Sequence, residues 1–259
     1  MRAEIKLIAE GIDDYDIDSV TSAAAGHPKD KMQDRRIDTS WKANSTATQD
    51  IDIDTNSDTF SANYAFLYHN ISDNSSSATI KIYSDDNAGF TSATQRGSTF
   101  TITPSNKPYA MISFGAGIVE RYWRIRIENS DVAPEVYLVF LGVSSLAMTG
   151  FSVRHMPGQS QEITYDGYDI EEAAGGVRAA RIYHDGRWTL RAQWEILDST
   201  LEVALQQFMA DVKGGARAFF LVDSDSTYHW VRILNRRLGS SEFVHELFNT
   251  DPLIFEEEF

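Results

Sequence analysis

The segment Arg121-Tyr122-Trp123-Arg124-Ile125-Arg126-Ile127 alternates from one residue to the next. In an extended chain Trp123, Ile125 and Ile127 fall on one face, and Arg124 and Arg126 on the other. Such a strand packs its apolar side in a core and lays arginine stems over the opposite side. Basic and aromatic residues also interleave on nucleic-acid stacking surfaces. The formal net charge of −15, with 23 Lys and Arg against 38 Asp and Glu, argues for the packed strand.

Similar runs surround this one. Residues 49–55 alternate, with Ile51 and Ile53 on one face and Asp50, Asp52 and Asp54 on the other. Residues 64–69 are aromatic and aliphatic, and residues 79–83 alternate before Ser84-Asp85-Asp86-Asn87. Residues 100–102 form a short run ended by Pro104, and residues 136–141 are apolar up to Gly142. Many short strands between polar turns predict an antiparallel β-sandwich over residues 19–145.

Residues 143–160, with Ser144, Ser145, Gly150, Pro157, Gly158 and Ser160, read as a join, and residues 151–155 as a strand that could open the second domain. Residues 146–259 read as α+β. Strands at 177–183 and 187–196 flank His184-Asp185-Gly186, a hairpin signal. Trp188, Leu190, Ala192 and Trp194 share one face. A helix is predicted over residues 199–213. Ser199 and Glu202 form a capping box, and Leu201, Ala204, Leu205, Phe208, Met209 and Val212 make one apolar stripe. Gly214-Gly215 ends it. Strands follow at 218–222, 228–234, 243–248 and 253–255.

The chain's 259 residues suffice for one large or two ordinary domains, and 42% hydrophobic residues suffice for a real core. With no cysteine there are no disulfides, thiolate nucleophiles or cysteine zinc sites. Charges at Arg2, Glu4, Lys6 and Glu10 are unlike a signal peptide, and no apolar run reaches the roughly 18–20 residues of a membrane span. No nucleic-acid or membrane partner is expected. The six histidines are scattered, with none at helical metal-pair spacing. Asp13, Asp14, Asp16 and Asp18 form one acidic group, and Asp50, Asp52 and Asp54 a second. Asp85, Asp86 and Asn87 form the turn best suited to calcium, although the EF-hand pattern is absent. No nucleophile elbow, phosphate loop or dinucleotide fingerprint is present, and no carboxylate pair is marked out for hydrolysis. No catalytic residue is nominated, and the chain is expected not to be an enzyme.

Residues from about Ser19 to Ser144 resemble the discoidin-like, galactose-binding-like β-sandwich. The resemblance rests on Ala25-Gly26-His27-Pro28, Asp38-Thr39-Ser40-Trp41, Asp50 to Asp54, the runs FLYHN and IKIYSDD, RYWRIRI, and Val136 to Gly142. It implies structural roles for Trp41 and the Arg121–Ile127 strand, and variable ligand loops. Those loops would be residues 29–36, 86–97 and 105–109, with Phe90 and Tyr109 as the side chains that could stack on a sugar.

Residues from about Phe151 to Phe259 resemble the ring-forming domain of siphophage distal tail and related minor tail proteins. The hairpin, the single helix over a sheet, GGARAFFLVD and the terminal FEEEF carry that resemblance. It implies a hexameric ring at the virion tail tip, between tail tube and hub, made in the host cytoplasm, with an accessory sandwich for protein or cell-surface glycan. An acidic lumen would let DNA pass without sticking. Many such proteins put the ring domain first. Residues 1–18, where Ile5 and Leu7 alternate, could return a strand to that domain and make the sandwich an insertion. The helix stripe is expected to build each subunit, leaving contacts between subunits to strands, loops and the acidic C-terminus. The alternative is a carbohydrate-binding module protein outside any virion.

Overall fold

The computed structural model describes residues 6–10, 16–34, 38–71, 77–103, 109–147, 160–164, 168–172, 178–182, 187–192, 197–222, 228–234, 240–244 and 247–257. It is mainly β, with antiparallel sheets and, among these residues, one α-helix. The chain divides into two compact units: Met1–Ala9 with Ser144–Phe259, and Glu10–Val143. No described helix is long and apolar enough to cross a membrane.

The chain starts with β1 (Lys6–Glu10). The sandwich unit then follows as β2 (Asp16–Val20), β3 (Trp41–Lys42), β4 (Gln49–Asp54), β5 (Ser61–His69), β6 (Thr79–Asp85), β7 (Thr94–Thr101), β8 (Tyr109–Val119), β9 (Tyr122–Glu128) and β10 (Glu135–Ala147). One sheet runs β2-β4-β9-β6-β7. In the other, β10 pairs with β3 and β5, and β5 pairs with β8. Ile51, Ile53, Trp123, Ile125 and Ile127 from the first sheet meet Ala65, Leu67, Ala110, Ile112, Val139 and Leu141 from the second in one core. The predicted alternation of β4 and β9 is therefore the inward face of one layer.

Asp16–Val20 pairs with β4, so this unit takes in residues before Ser19, and its first boundary lies at Glu10 instead. Asp16 and Asp18 stand on that strand. Tyr109, expected in a loop, opens β8, and β7 begins earlier than the run at 100–102 suggested.

The other unit continues through β11 (Ser160–Thr164), β12 (Tyr168–Glu172), β13 (Arg178–Ile182), β14 (Arg187–Ala192), β15 (Leu197–Asp198), α1 (Ser199–Asp211), β16 (Phe219–Val222), β17 (Tyr228–Ile233), β18 (Ser240–Val244), β19 (Leu247–Thr250) and β20 (Leu253–Glu257). Its main sheet places β11, β14, β20, β17, β16 and β1 side by side. The chain's first strand thus pairs with β16 (Ile8 opposite Phe220), and residues 10–143 lie between two parts of one sheet in chain order. Leu205, Phe208 and Met209 on α1, with Val212 just past its end, pack on Phe219, Leu221, Val231, Ile233, Leu253 and Phe255, with Leu190 buried and Trp188 partly buried beside them. Rings of Phe208 and Phe219 meet edge to face at 4.9 Å.

The helix ends at Asp211, short of the predicted Lys213. Lys213, Gly214 and Gly215 take positive φ values of 52°, 62° and 87°, so the chain leaves the helix through a left-handed turn. The Asp185-Gly186 turn, Trp194 and the candidate strand at 151–155 lie outside the described residues.

Candidate functional site

The outward face of the five-stranded sheet is a set of matched ions. Asp50 stands opposite Arg126 and Asp52 opposite Arg124 across β4 and β9. Arg124 donates to Asp52 at 2.6 and 2.9 Å, and Arg126 to Asp50 at 2.7 and 2.8 Å. Arg121 holds Asp54 the same way at 2.8 and 3.0 Å. Two-point hydrogen bonds of this kind fix geometry as well as charge. The guanidinium of Arg121 holds the Asp54 carboxyl below the usual carboxylate range. The second acidic group found in the sequence is therefore neutralised side by side and forms no cation cage.

The loop from β6 to β7 lies beside this face. Asp85 is 3% exposed, and its two carboxylate oxygens accept the N–H groups of Asn87 at 3.1 Å and Ser92 at 2.8 Å. Burial alone would raise the Asp85 carboxyl, but those N–H donors outweigh it and hold it low. The Asn87 side-chain oxygen accepts from Gly89 N–H at 2.7 Å, and its carbonyl accepts from Phe90 N–H at 3.0 Å. Asp85 and Asn87 thus turn their oxygens toward N–H donors within the loop. Asp86 and Asn87 are exposed, and no described cluster of three metal-ligating side chains forms here.

Within this hydrogen-bonded loop Phe90 takes an unusual conformation. Its φ is 50°, in the left-handed region that bulky residues rarely enter. The Arg124 guanidinium carbon lies 4.1 Å from the centre of the Phe90 ring, within cation–π range. Arg124 is itself pinned by Asp52, so the half-buried ring rests on a fixed cation. An aromatic plane held this way can present a flat apolar face to the C–H groups of a ligand. Tyr109 is elsewhere, on the other sheet. Its ring stacks at 5.8 Å on the buried Phe66, and it stands opposite Tyr68. The two aromatic candidates are not brought together.

A second polar cluster escaped sequence reading. Glu135 accepts from Ser40 Oγ at 2.6 Å, Asn70 Nδ2 at 2.9 Å and Lys42 Nζ at 3.3 Å, and His27 Nδ1 lies 3.1 Å from Ser40 Oγ. Burial would raise the Glu135 carboxyl, but the Ser40 and Lys42 contacts lower it. The cluster ties the segment around Trp41 to β5 and β10. Trp41 is fully buried and donates to Ser22 O at 2.9 Å. In the other unit His229 Nδ1 lies 3.2 Å from Glu257 Oε1, and its ring stacks at 3.8 Å on Trp188. These histidines are packed and bonded as structural side chains.

His69 is fully buried, and Ile71 N–H donates to its Nδ1 at 3.2 Å while Nε2 finds no partner among the described residues. Burial pushes its pKa down to about 4 from 6.5. The unfolded chain therefore binds the extra proton first. The stability held with neutral His69 is complete above about pH 6.5 and is lost as pH falls toward about 4. A loss of up to about 3 kcal/mol is expected over that window. Denaturant unfolding at stepped pH measures it, and His69→Leu should flatten the slope there.

No family model and no curated protein matches the chain. Solved structures with some likeness include a pectin-binding carbohydrate-binding module, at 9% identity and TM-score 0.41, covering 51% of this chain and 91% of that one. A chitosan-binding module from a chitosanase/glucanase of Paenibacillus sp. IK-5 is 18% identical with TM-score 0.42, covering 52% of this chain and 98% of its own. The family 32 carbohydrate-binding module of NanJ from C. perfringens, solved with galactose, is 13% identical with TM-score 0.42, covering 54% and 99%.

Proposed function

We propose that this chain is a non-enzymatic structural protein of a bacteriophage tail tip. Its α+β unit forms a ring between tail tube and hub, and its sandwich is the accessory that touches neighbouring proteins or cell-surface glycan. The supporting observation is the pairing of β1 with β16. Because the main sheet takes strands from both sides of residues 10–143, the sandwich is joined to it at two points in the chain. The resemblance of residues 151–259 to tail-ring domains supplies the assembly. Light scattering and native mass spectrometry of the full chain should give a closed symmetric oligomer, six copies on this reading. A monomer at every concentration, with tail-tube and hub partners also added, overturns it.

The second reading, a carbohydrate-binding protein outside any virion, draws on Phe90. Its strained backbone and pinned cation suit a preformed stacking platform. On a glycan array the monomer would then retain a sugar, and Phe90→Ala would weaken binding about tenfold or more. An array with no retained glycan removes this reading and leaves the ring reading standing.

A further inference from the structure

Residues 29–36 were expected to be a ligand loop, but their first part is committed to the sandwich itself. The segment opens with a 3₁₀ turn over Lys29–Met32, and Met32 is fully buried in the sandwich core. Lys31 Nζ reaches Asp34 at 3.4 Å, and Asp34 accepts from Thr39 Oγ1 at 2.7 Å. Lys29 and Gln33 turn to β2 instead. Gln33 Oε1 accepts the Ile17 N–H at 3.1 Å, and Lys29 Nζ donates to the Ile17 carbonyl. β2 is an outer strand of the five-stranded sheet and pairs, among the described strands, with β4 alone. Both backbone groups of Ile17 therefore face away from β4, toward the side where a sixth strand would bond.

We infer that Lys29 and Gln33 are an edge plug: one donor and one acceptor stand in for a sixth strand and keep β2 closed to strand addition. A free sheet edge offers unpaired N–H and C=O groups to any extended chain, and strand addition works through those main-chain bonds. β2 has only five residues, Asp16–Val20, so occupying Ile17 leaves no continuous ladder for an incoming strand. The Ile17 side chain is buried in the core, which fixes the register of the plugged groups. Asp16 and Asp18 are exposed on either side of it. The strand most in need of exclusion is thus one that alternates apolar and basic residues, which this acidic edge would attract. The opposite outer strand, β7, is closed by other means. At Gly97, with φ 68°, its backbone lies so near β8 that a Cβ would come within 2.8 Å of Ser113 O. The plug is independent of both functional readings. In any assembly that holds several copies close together, it keeps their sandwiches from pairing at this edge.

Two double variants of the full chain test the plug. Lys29→Ala/Gln33→Ala removes both groups, whereas Lys29→Arg/Gln33→Glu keeps a donor and an acceptor. Each pair makes the chain one unit more negative, so their comparison is free of a difference in long-range charge. Amide hydrogen exchange at Ile17 should quicken about tenfold or more in the alanine pair and stay near wild type in the conservative pair, with Ile125 in the sheet interior unchanged in both. The probe for strand addition is a fluorescent peptide, Gln-Lys-Ile-Lys-Ile-Lys-Thr, which copies residues 49–55 with lysine at the three acidic positions. By fluorescence anisotropy it should bind the alanine pair about tenfold more tightly than the conservative pair. Gln33→Ala against Gln33→Glu gives the same two readings if the alanine pair loosens the whole sheet. Unchanged exchange at Ile17 overturns the plug, and faster exchange with equal peptide binding overturns its role as a guard.

Discussion

Trp123→Ala should destabilise the sandwich by about 3–5 kcal/mol. The ring is fully buried near the start of β9, the middle strand of its sheet, stacked on Phe114 at 5.4 Å and edge-on to Phe60 at 6.5 Å. Its indole N–H also donates to Glu120 O at 3.0 Å. Alanine removes the apolar area, leaves a cavity between two facing layers, and takes the donor from that carbonyl. Such a loss is a large part of the roughly 5–15 kcal/mol that keeps a domain folded. Trp123→Phe should cost less, because an aromatic ring remains while the hydrogen bond does not. The transition of the sandwich, followed by near-ultraviolet circular dichroism in denaturant, measures both. A loss below about 1 kcal/mol for Trp123→Ala would contradict this placement of the ring.

What sequence reading could see was whatever repeats locally. Trp123, Ile125 and Ile127 are at most 1% exposed, as a period of two on one strand requires. The helical stripe from Leu205 to Val212 faces the core for the same reason. β8 was not read as a strand, although Ile112, Phe114 and Ile118 alternate with Ser113, Gly115 and Gly117; the low strand propensity of its glycines hid it, and pairing with β5 makes it a strand. The ion ladder was half legible. The spacing of Asp50, Asp52 and Asp54 resembles that of Arg124 and Arg126, yet the partners Arg124 and Asp52 lie 72 residues apart. Only the topology that sets β4 beside β9 joins them. Phe90 could be named as an aromatic in a turn. Its left-handed backbone could not, since that conformation depends on Asp85 and Asn87 being engaged by the loop itself.

Gly215→Ala should be comparably damaging in the other unit, by about 3 kcal/mol or more. Two independent demands meet at this residue. Its φ is +87°, where an L side chain is strained. A Cβ there would also run into the Ile233 carbonyl oxygen, far inside any permitted contact, and crowd the Ile233 carbonyl carbon at 3.1 Å. The backbone of β17 cannot swing aside as a long side chain can, because Ile233 pairs with Phe255 and Leu234 N–H donates to Ile254 O at 2.9 Å. The substitution must therefore lift the end of α1 away from the sheet, loosening Val212 and Phe208 over Ile233. Gly214→Ala makes the internal comparison. That residue also has a positive φ, 62°, so the backbone strain should be similar in kind. It should cost only about 1 kcal/mol, the usual penalty for an L residue in this region, if strain alone governs. Thermal or denaturant unfolding of the two variants separates the effects. A Gly215→Ala loss equal to that of Gly214→Ala would mean that the close approach to β17 contributes nothing. A clearly larger loss identifies Gly215 as the point where helix and sheet are fitted together, with no room for even one methyl group.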